Sequence, residues 1–307
     1  MILKIDKFQI YTFYRFVSIS NTKKIKNEIE DCIKKIKLKG TILLAEEGIN
    51  GSISGEEKDL KNLIVFIKRI LNIRKLEIKI NKANFLPFNK IKIRLKKEIV
   101  SLGKNFIDTL QNTGKKISPK DWDHVINNKD YKIIDTRNKF EIAIGSFKNS
   151  INPKTKSFRD FPKNFQKLKI EKNSKIAMFC TGGIRCEKAS SYLKQVGYEN
   201  IFQLDGGILN YLDHKHKSKN NKSEWYGECF VFDNRVTVNK KLKMGKYSQC
   251  YGCRHPITKS DKKLKSYVKG VSCRYCYKIR TKQQLSRSLS RQIQINTANQ
   301  KKRGHSF

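Results

Sequence analysis

The 307-residue sequence contains no apolar run near the roughly 20 residues that a membrane-spanning helix requires. Its N-terminus also lacks the uninterrupted apolar segment of a signal peptide, because Lys4, Asp6, Lys7 and Arg15 interrupt it. Both absences argue against a membrane protein or a secreted one. The sequence therefore predicts a soluble, cytoplasmic protein with no membrane partner.

Acidic residues are scarce: 27 Asp and Glu stand against 67 Lys and Arg, a formal net charge of +40. Lysines outnumber arginines 53 to 14, and Ile and Asn are abundant, so the codon bias of an AT-rich genome explains part of this excess. The distribution is more informative. The 46 residues after Asp261 contain 13 basic residues and no acidic one, which favours a nucleic-acid partner over a merely solvated surface.

Cofactor motifs are missing as well. There is no P-loop, no dinucleotide-binding glycine pattern and no cluster of two histidines and a carboxylate. The five histidines show no ligand spacing apart from His214-x-His216 in a hydrophilic linker, which we interpret as solvated chain. The sequence predicts no organic cofactor.

Residues 1–112 alternate between strand and helix patterns in the order βαββαβ, which predicts a ferredoxin-like domain. The aromatic and β-branched stretch FQIYTFYRFVSI indicates a strand, and NTKKIKNEIEDCIKKIKLKG has the apolar spacing of a helix. A further strand, FNKIKIRLKK, would place four cations on one sheet face, either solvated or facing RNA: Lys90, Lys92, Arg94 and Lys96.

Residues 117–215 contain short, continuously apolar strands that alternate with helices, a pattern typical of a parallel α/β domain. A capped helix is predicted here, with Ser118 as the N-cap and Pro119 at the first helical position. Asp135 and Cys180 follow predicted strands directly, and ligands of parallel sheets bind beyond such strand ends. Residues 216–307 form a less regular, basic and cysteine-rich region, whose end is predicted to be a polar helix or a disordered arm.

The loop CTGGIRCEK joins the strand KIAMF to a helix and predicts a reactive thiol. Glycines in such a loop let backbone N–H groups converge on one point, and the helix dipole adds positive potential there. Both effects stabilise a thiolate, and Arg185 adds a cation, so no histidine base is needed. The candidate active-site loop consists of Cys180, Thr181, Gly182, Gly183, Ile184 and Arg185. Four residues between cysteine and arginine form a ring too tight for phosphate, which argues against a phosphatase.

The remaining cysteines near strands and helices allow different interpretations. Cys186 is either a second thiol that resolves an oxidised Cys180 or a small residue packed against the sheet. Cys32 and Cys229 occur in amphipathic contexts and are predicted to fill the core.

Four cysteines form two C-x-x-C pairs with 19 residues between them: Cys250, Cys253, Cys273 and Cys276. This is the spacing of a zinc ribbon, so we predict a structural zinc with four thiolate ligands, as opposed to free thiols in a loosely folded tail. Basic residues and tyrosines surround the pairs. The tyrosines either stack on unpaired RNA bases or pack within the ribbon.

The segments IIDTR, FEIAIGSFKNSINP, CTGGIRCEKAS and DGGI resemble the rhodanese family in order and spacing over about 100 residues. The resemblance implies that Cys180 is the catalytic cysteine, which carries a persulfide in sulfurtransferases. It also implies that Asp135 and Arg137 brace the domain near the loop and that Arg185 closes the loop. Thr181 departs from the basic residue of many thiosulfate-using members, which argues against thiosulfate as donor.

The whole chain resembles a narrower group, the bacterial rhodanese-domain tRNA uridine hydroxylases, through AEEGINGSISG, CTGGIRCEKAS, GECFVFDNRVTV and the two cysteine pairs. This resemblance implies an oxidoreductase that converts the wobble uridine of tRNA to 5-hydroxyuridine, with molecular oxygen as co-substrate and Cys180 as catalytic residue. Two alternatives remain: a sulfurtransferase with a persulfide on Cys180, and an RNA-binding protein without catalysis.

Overall fold

The computed structural model describes residues 8–34, 36–104, 107–218 and 222–304, which form two compact units. The first unit runs to Cys229 and includes Val238–Lys243, and the second contains Phe230–Thr237 and the residues from Met244 onward. Within the described ranges, no helix combines the length and the apolar character needed to cross a membrane.

The N-terminal part of the first unit is a five-stranded sheet with two helices. Its elements are β1 (Phe8–Phe16), α1 (Thr22–Ile33), β2 (Lys39–Ala45), β3 (Gly48–Gly55), α2 (Glu57–Ile70), β4 (Glu77–Ala83) and β5 (Ile91–Leu95). The strand order is β4-β1-β3-β2-β5, antiparallel except for the edge strand β5, which runs parallel to β2. The predicted ferredoxin-like domain is confirmed.

Sequence periodicity explains how this sheet is covered. Helix α1 begins after Asn21, whose side chain accepts a hydrogen bond from the Lys24 amide, and it buries Ile29 and Ile33 against the sheet. Strand β5 alternates: Ile93 is buried, whereas the cations on either side of it are exposed.

The second part of the first unit is the parallel domain. Its elements are β6 (Lys115–Ile117), α3 (Trp122–Asn127), β7 (Tyr131–Asp135), α4 (Lys139–Ile142), β8 (Gly145–Phe147), α5 (Phe161–Gln166), β9 (Lys175–Phe179), α6 (Ile184–Gln195), β10 (Ile201–Leu204), α7 (Gly207–Lys217) and β11 (Trp225–Gly227). Four strands form a parallel sheet in the order β6-β10-β9-β7, as predicted, and β11 pairs antiparallel with β8. Asp135 and Cys180 therefore lie at the carboxyl ends of two neighbouring strands, β7 and β9.

Helix α3 begins later than the sequence predicts. Ser118 does not cap a helix at Pro119; its hydroxyl donates to the Asp121 carboxylate within a turn, and the helix begins at Trp122. The Trp122 ring packs edge-on against Phe147 and Phe179, so core packing fixes this start.

The second unit is built of short strands, a cysteine cluster and a long helix. Its elements are β14 (Ser248–Gln249), β15 (Pro256–Ile257) and α8 (Lys282–Gly304), preceded at the boundary of the units by β12 (Cys229–Phe230) and β13 (Thr237–Val238). Strands β14 and β15 pair antiparallel. Arg291 of α8 donates to the carbonyls of Tyr251 and Gly270, at 2.9 Å each, so the predicted basic arm forms a helix anchored to the cysteine region.

Candidate active site and metal centre

The predicted loop lies between β9 and α6, and its backbone surrounds the Cys180 sulfur. The Gly183 amide donates to Cys180 Sγ at 3.0 Å. Gly183 has a φ of +103°, a backbone conformation that residues other than glycine rarely adopt. It lies directly before helix α6. A side chain at Gly182 would meet no atom within 4 Å, so the loop is open at that point.

Helix α7 holds the carbonyl side of the loop. The amides of Ile208 and Leu209 donate to the carbonyls of Cys180 and Thr181 at 2.9 and 3.1 Å. Gly207 allows this approach, because a Cβ there would lie 2.5 Å from the Cys180 oxygen. The carbonyl oxygens are thus engaged by α7 while N–H groups point at the sulfur.

The Cys180 thiol is buried, with 1% of its surface exposed. Burial alone raises the pKa of Cys180. The hydrogen bond from Cys186, the charge of Arg185 and the amides of Gly183 and Arg185 outweigh burial and lower that pKa to about 6. Cys180 is therefore mostly a thiolate at neutral pH.

Cys186 is fully buried in the same core and hydrogen-bonds to Cys180. Burial and the neighbouring Cys180 raise the pKa of Cys186, so its thiol stays protonated and donates to the Cys180 thiolate. Its sulfur also lies 3.6 Å from the Thr136 hydroxyl. Cys186 is thus a core residue and a neighbour of the reactive sulfur at once.

Arg185 is held by Glu141. Its two terminal nitrogens donate to the two Glu141 carboxylate oxygens at 3.0 and 2.9 Å, and both side chains are buried. This fork fixes the guanidinium in place, from where its charge stabilises the thiolate.

Asp135 and Arg137 form a fully buried pair behind the loop. Arg137 donates to Asp135 through Nε at 2.9 Å and through a terminal nitrogen at 2.6 Å, and Ser146 Oγ donates to Asp135 at 2.7 Å. The Arg137 guanidinium lies 5.1 Å from the Trp225 ring centre. The pair therefore ties β7 to β8 and β11.

The N-terminal domain also contacts the loop, which sequence reasoning did not foresee. A side chain at Gly183 would lie 2.9 Å from the Tyr14 hydroxyl, and that hydroxyl donates to Glu187 at 3.3 Å. Burial and the charge of Glu187 raise the pKa of Tyr14 well above its ordinary value, so the hydroxyl stays protonated. Gln203 donates to the other Glu187 oxygen at 2.9 Å. The structure buries the charged residues Glu187 and Lys188 of α6, and the sequence pattern did not indicate their partners.

The four predicted zinc ligands converge. The sulfurs of Cys250, Cys253, Cys273 and Cys276 all lie within 4.8 Å of one another. Cys253 and Cys273 are 3.7 Å apart, and Cys273 and Cys276 are 4.0 Å apart. Zinc–sulfur bonds of about 2.3 Å in a tetrahedron place the sulfurs about 3.8 Å apart, so the four sulfurs are close to the spacing that such an ion requires.

Three tyrosines around this cluster are exposed instead of packed inside it. Tyr251, Tyr275 and Tyr277 expose 58%, 42% and 43% of their surface. The Arg274 guanidinium lies 4.7 Å from the Tyr275 ring centre, and Lys278 lies 5.6 Å from that of Tyr277. These rings stand beside cations at the surface.

Known families match the two domains of the first unit separately. The UPF0176 acylphosphatase like domain matches residues 8–99, and the rhodanese-like domain matches residues 118–214. Among solved structures, a rhodanese-related protein from Thermoplasma volcanium is 30% identical and covers 33% of this chain and 92% of its own, with a TM-score of 0.28. A rhodanese-like domain protein from Staphylococcus aureus is 24% identical and covers 32% and 90%, also with a TM-score of 0.28.

A full-length relative is more informative. The protein named tRNA uridine(34) hydroxylase from Pelagibacter ubique (strain HTCC1062) is 46% identical over 301 residues, which cover 98% of each chain. Because this identity extends through the N-terminal domain, the rhodanese domain and the cysteine-rich region, the chain belongs to the tRNA uridine(34) hydroxylase family.

Proposed function

We propose that this chain is an enzyme that hydroxylates uridine 34 of tRNA to 5-hydroxyuridine, with Cys180 as the catalytic cysteine. The observation that supports the proposal most directly is the identity with the Pelagibacter relative, which runs the full length of the chain. We also propose a cytoplasmic location, since a tRNA substrate would be met there.

The loop supplies what such a cysteine needs. A pKa of about 6 keeps Cys180 in its nucleophilic form at neutral pH, and the Gly183 amide holds the sulfur in a fixed position. Carbon 6 of uracil is electrophilic, and addition of a nucleophile there makes the neighbouring carbon 5 a nucleophilic enolate carbon. A positioned thiolate is suited to make that addition, and its departure restores the aromatic base.

Molecular oxygen is the co-substrate in this proposal, which makes the enzyme an oxidoreductase. Replacing a carbon-bound hydrogen by a hydroxyl group consumes one oxygen atom. The second atom leaves as water when a two-electron donor supplies the reducing equivalents.

The second unit would bind the tRNA. We infer that Cys250, Cys253, Cys273 and Cys276 hold a structural zinc, because four thiolates close its coordination and leave no position for substrate. Around it, exposed tyrosines and cations offer stacking surfaces and phosphate contacts.

The test is nucleoside mass spectrometry of tRNA treated with the protein under heavy-isotope dioxygen. Wild-type protein and the Cys32→Ala variant should place the heavy atom in 5-hydroxyuridine, whereas Cys180→Ala should not. Cys32 is a matched control, because it is a cysteine of the N-terminal domain remote from the loop.

Two results would contradict the proposal. Transfer of labelled sulfur through Cys180 without oxygen incorporation would assign the sulfurtransferase activity instead. Full hydroxylation by Cys180→Ala would show that the reaction does not require Cys180.

A further inference from the structure

Lys79 of the N-terminal domain lies beside the cysteine loop of the rhodanese domain. A methyl group on Gly206 would collide with the Lys79 ammonium. The Gly206 Cα lies in turn 3.8 Å from the position that a side chain on Gly183 would take. Lys79, Gly206 and the loop therefore form one continuous surface, although Lys79 is more than 100 residues away in the sequence.

The acids that act on Lys79 are each paired with another lysine. The negative charges of Asp205, Glu77 and Asp213 act to raise the pKa of Lys79. Of these three, Asp205 pairs with Lys116 at 3.7 Å, Glu77 with Lys75 at 3.1 Å and Asp213 with Lys217 at 2.6 Å.

Lys79 itself makes no ion pair within 4.0 Å among the residues that the structure describes. Burial lowers its pKa, and the three acids only partly oppose this effect. A half-buried ammonium without a close counter-ion is stabilised by any anion that reaches it. Lys79 thus differs from Lys116, which contacts Glu77, Glu187 and Asp205 at 3.3 to 3.7 Å.

The approach to this ammonium is compatible with a nucleic-acid strand. The loop has open space beside Gly182, which is half-buried, so this is the side from which a nucleotide would approach. A base presented to Cys180 carries a phosphate on either side of its ribose. These phosphates are anions that every RNA substrate brings to the loop.

We propose that Lys79 is a substrate-positioning residue whose ammonium binds a backbone phosphate next to the uridine at Cys180. The proposal rests on the tRNA function proposed above and adds the part of the N-terminal domain that completes the site. Lys79 touches the substrate and takes no part in the chemistry at the sulfur.

The experiment compares tRNA binding and hydroxylation by wild type, Lys79→Met, Lys79→Arg and Lys82→Met at several salt concentrations. Lys82 is the matched control, because it is an exposed lysine of the same strand and its loss changes the net charge equally. Lys79→Met should raise Kd and KM about tenfold at low salt, as expected for one charge-assisted hydrogen bond, with little change in kcat. Lys79→Arg should restore most of the affinity.

Salt dependence identifies the phosphate. Losing one phosphate contact reduces the slope of log affinity against log salt by roughly 0.7 for single-stranded RNA. The alkylation rate of Cys180 should stay unchanged in Lys79→Met, which shows an intact loop.

Two outcomes overturn the proposal. In the first, Lys79→Met matches Lys82→Met in affinity and slope. In the second, it loses affinity with an unchanged slope, which would indicate a contact to the base. Failure of the proposed function is a separate result, seen when wild type binds tRNA but forms no 5-hydroxyuridine.

Discussion

Lys188 and Glu47 are 141 residues apart in the sequence, yet the Lys188 ammonium lies 2.6 Å from Glu47 Oε2. The same ammonium donates to Glu98 at 2.6 Å and is 1% exposed. Lys188 belongs to α6, the helix that starts at the cysteine loop. The orientation of the loop is thereby tied to the N-terminal domain.

Lys188→Met should destabilise the first unit by about 3 kcal/mol, the lower end for breaking a buried ion pair, because Glu47 and Glu98 keep some contact with water. Calorimetry should show Tm lowered by about 6–12 °C, since each kcal/mol corresponds to roughly 2–4 °C in a unit of this size. The control Lys34→Met removes a lysine paired with Asp31 at the surface and should leave Tm unchanged. Equal Tm values for the two variants would show that the buried pair does not stabilise the unit.

Cys186→Ala should raise the pKa of Cys180, because the thiolate loses a hydrogen-bond donor. The thiolate exists above the pKa, so alkylation of Cys180 rises with pH through that value and its midpoint should move to higher pH. At pH 6 the variant should react several-fold more slowly, as expected for a lost hydrogen bond to a charged group. Peptide mass spectrometry measures the rate, and Cys32→Ala should keep the wild-type profile. A midpoint that stays near 6 in Cys186→Ala would assign the low pKa to Arg185 and the amides alone.

Asp135→Asn should cost about 3–5 kcal/mol in free energy of unfolding, because Arg137 would remain charged and fully buried without its partner. Ser146→Ala removes a single hydrogen bond to the same carboxylate and should cost about 1 kcal/mol. Denaturant titration measures both. If the two variants lose the same stability, Asp135 does not act as the counter-ion of Arg137.

Cys273→Ser should abolish bound zinc, which wild type should hold at about one ion per chain by elemental analysis. Without the ion the second unit should become sensitive to protease while the first unit stays resistant, because a structural zinc contributes directly to folding. Cys229→Ser, outside the cluster, should keep the metal. Wild type without zinc but with a protease-resistant second unit would contradict the metal site.

Local patterns were sufficient for the parts of the site that are contiguous in sequence. Cys180, Gly183 and Arg185 lie within six residues, so strand, loop and helix dipole together predict the low pKa. The same holds for the cysteine pairs, whose spacing predicts their convergence.

Contacts across domains gave no such signal. Tyr14 meets Glu187 only because one sheet packs against the loop of another, and neither residue has a periodicity that indicates the other. The start of α3 shows a different limit. Ser118 hydrogen-bonds to Asp121 within a turn instead of capping a helix, and the helix begins at the buried Trp122.

Helix α7 engages the carbonyls of Cys180 and Thr181, and the Gly183 amide donates to the Cys180 sulfur. Such a cradle stabilises negative charge without regard to which group carries it, whether thiolate, persulfide or sulfenate. The loop by itself is thus a general anion holder, and selectivity among chemistries depends on what is laid against it. In this chain that neighbour is the N-terminal domain, whose Tyr14 hydroxyl lies beside Gly183, so two domains together form the surroundings of the cysteine.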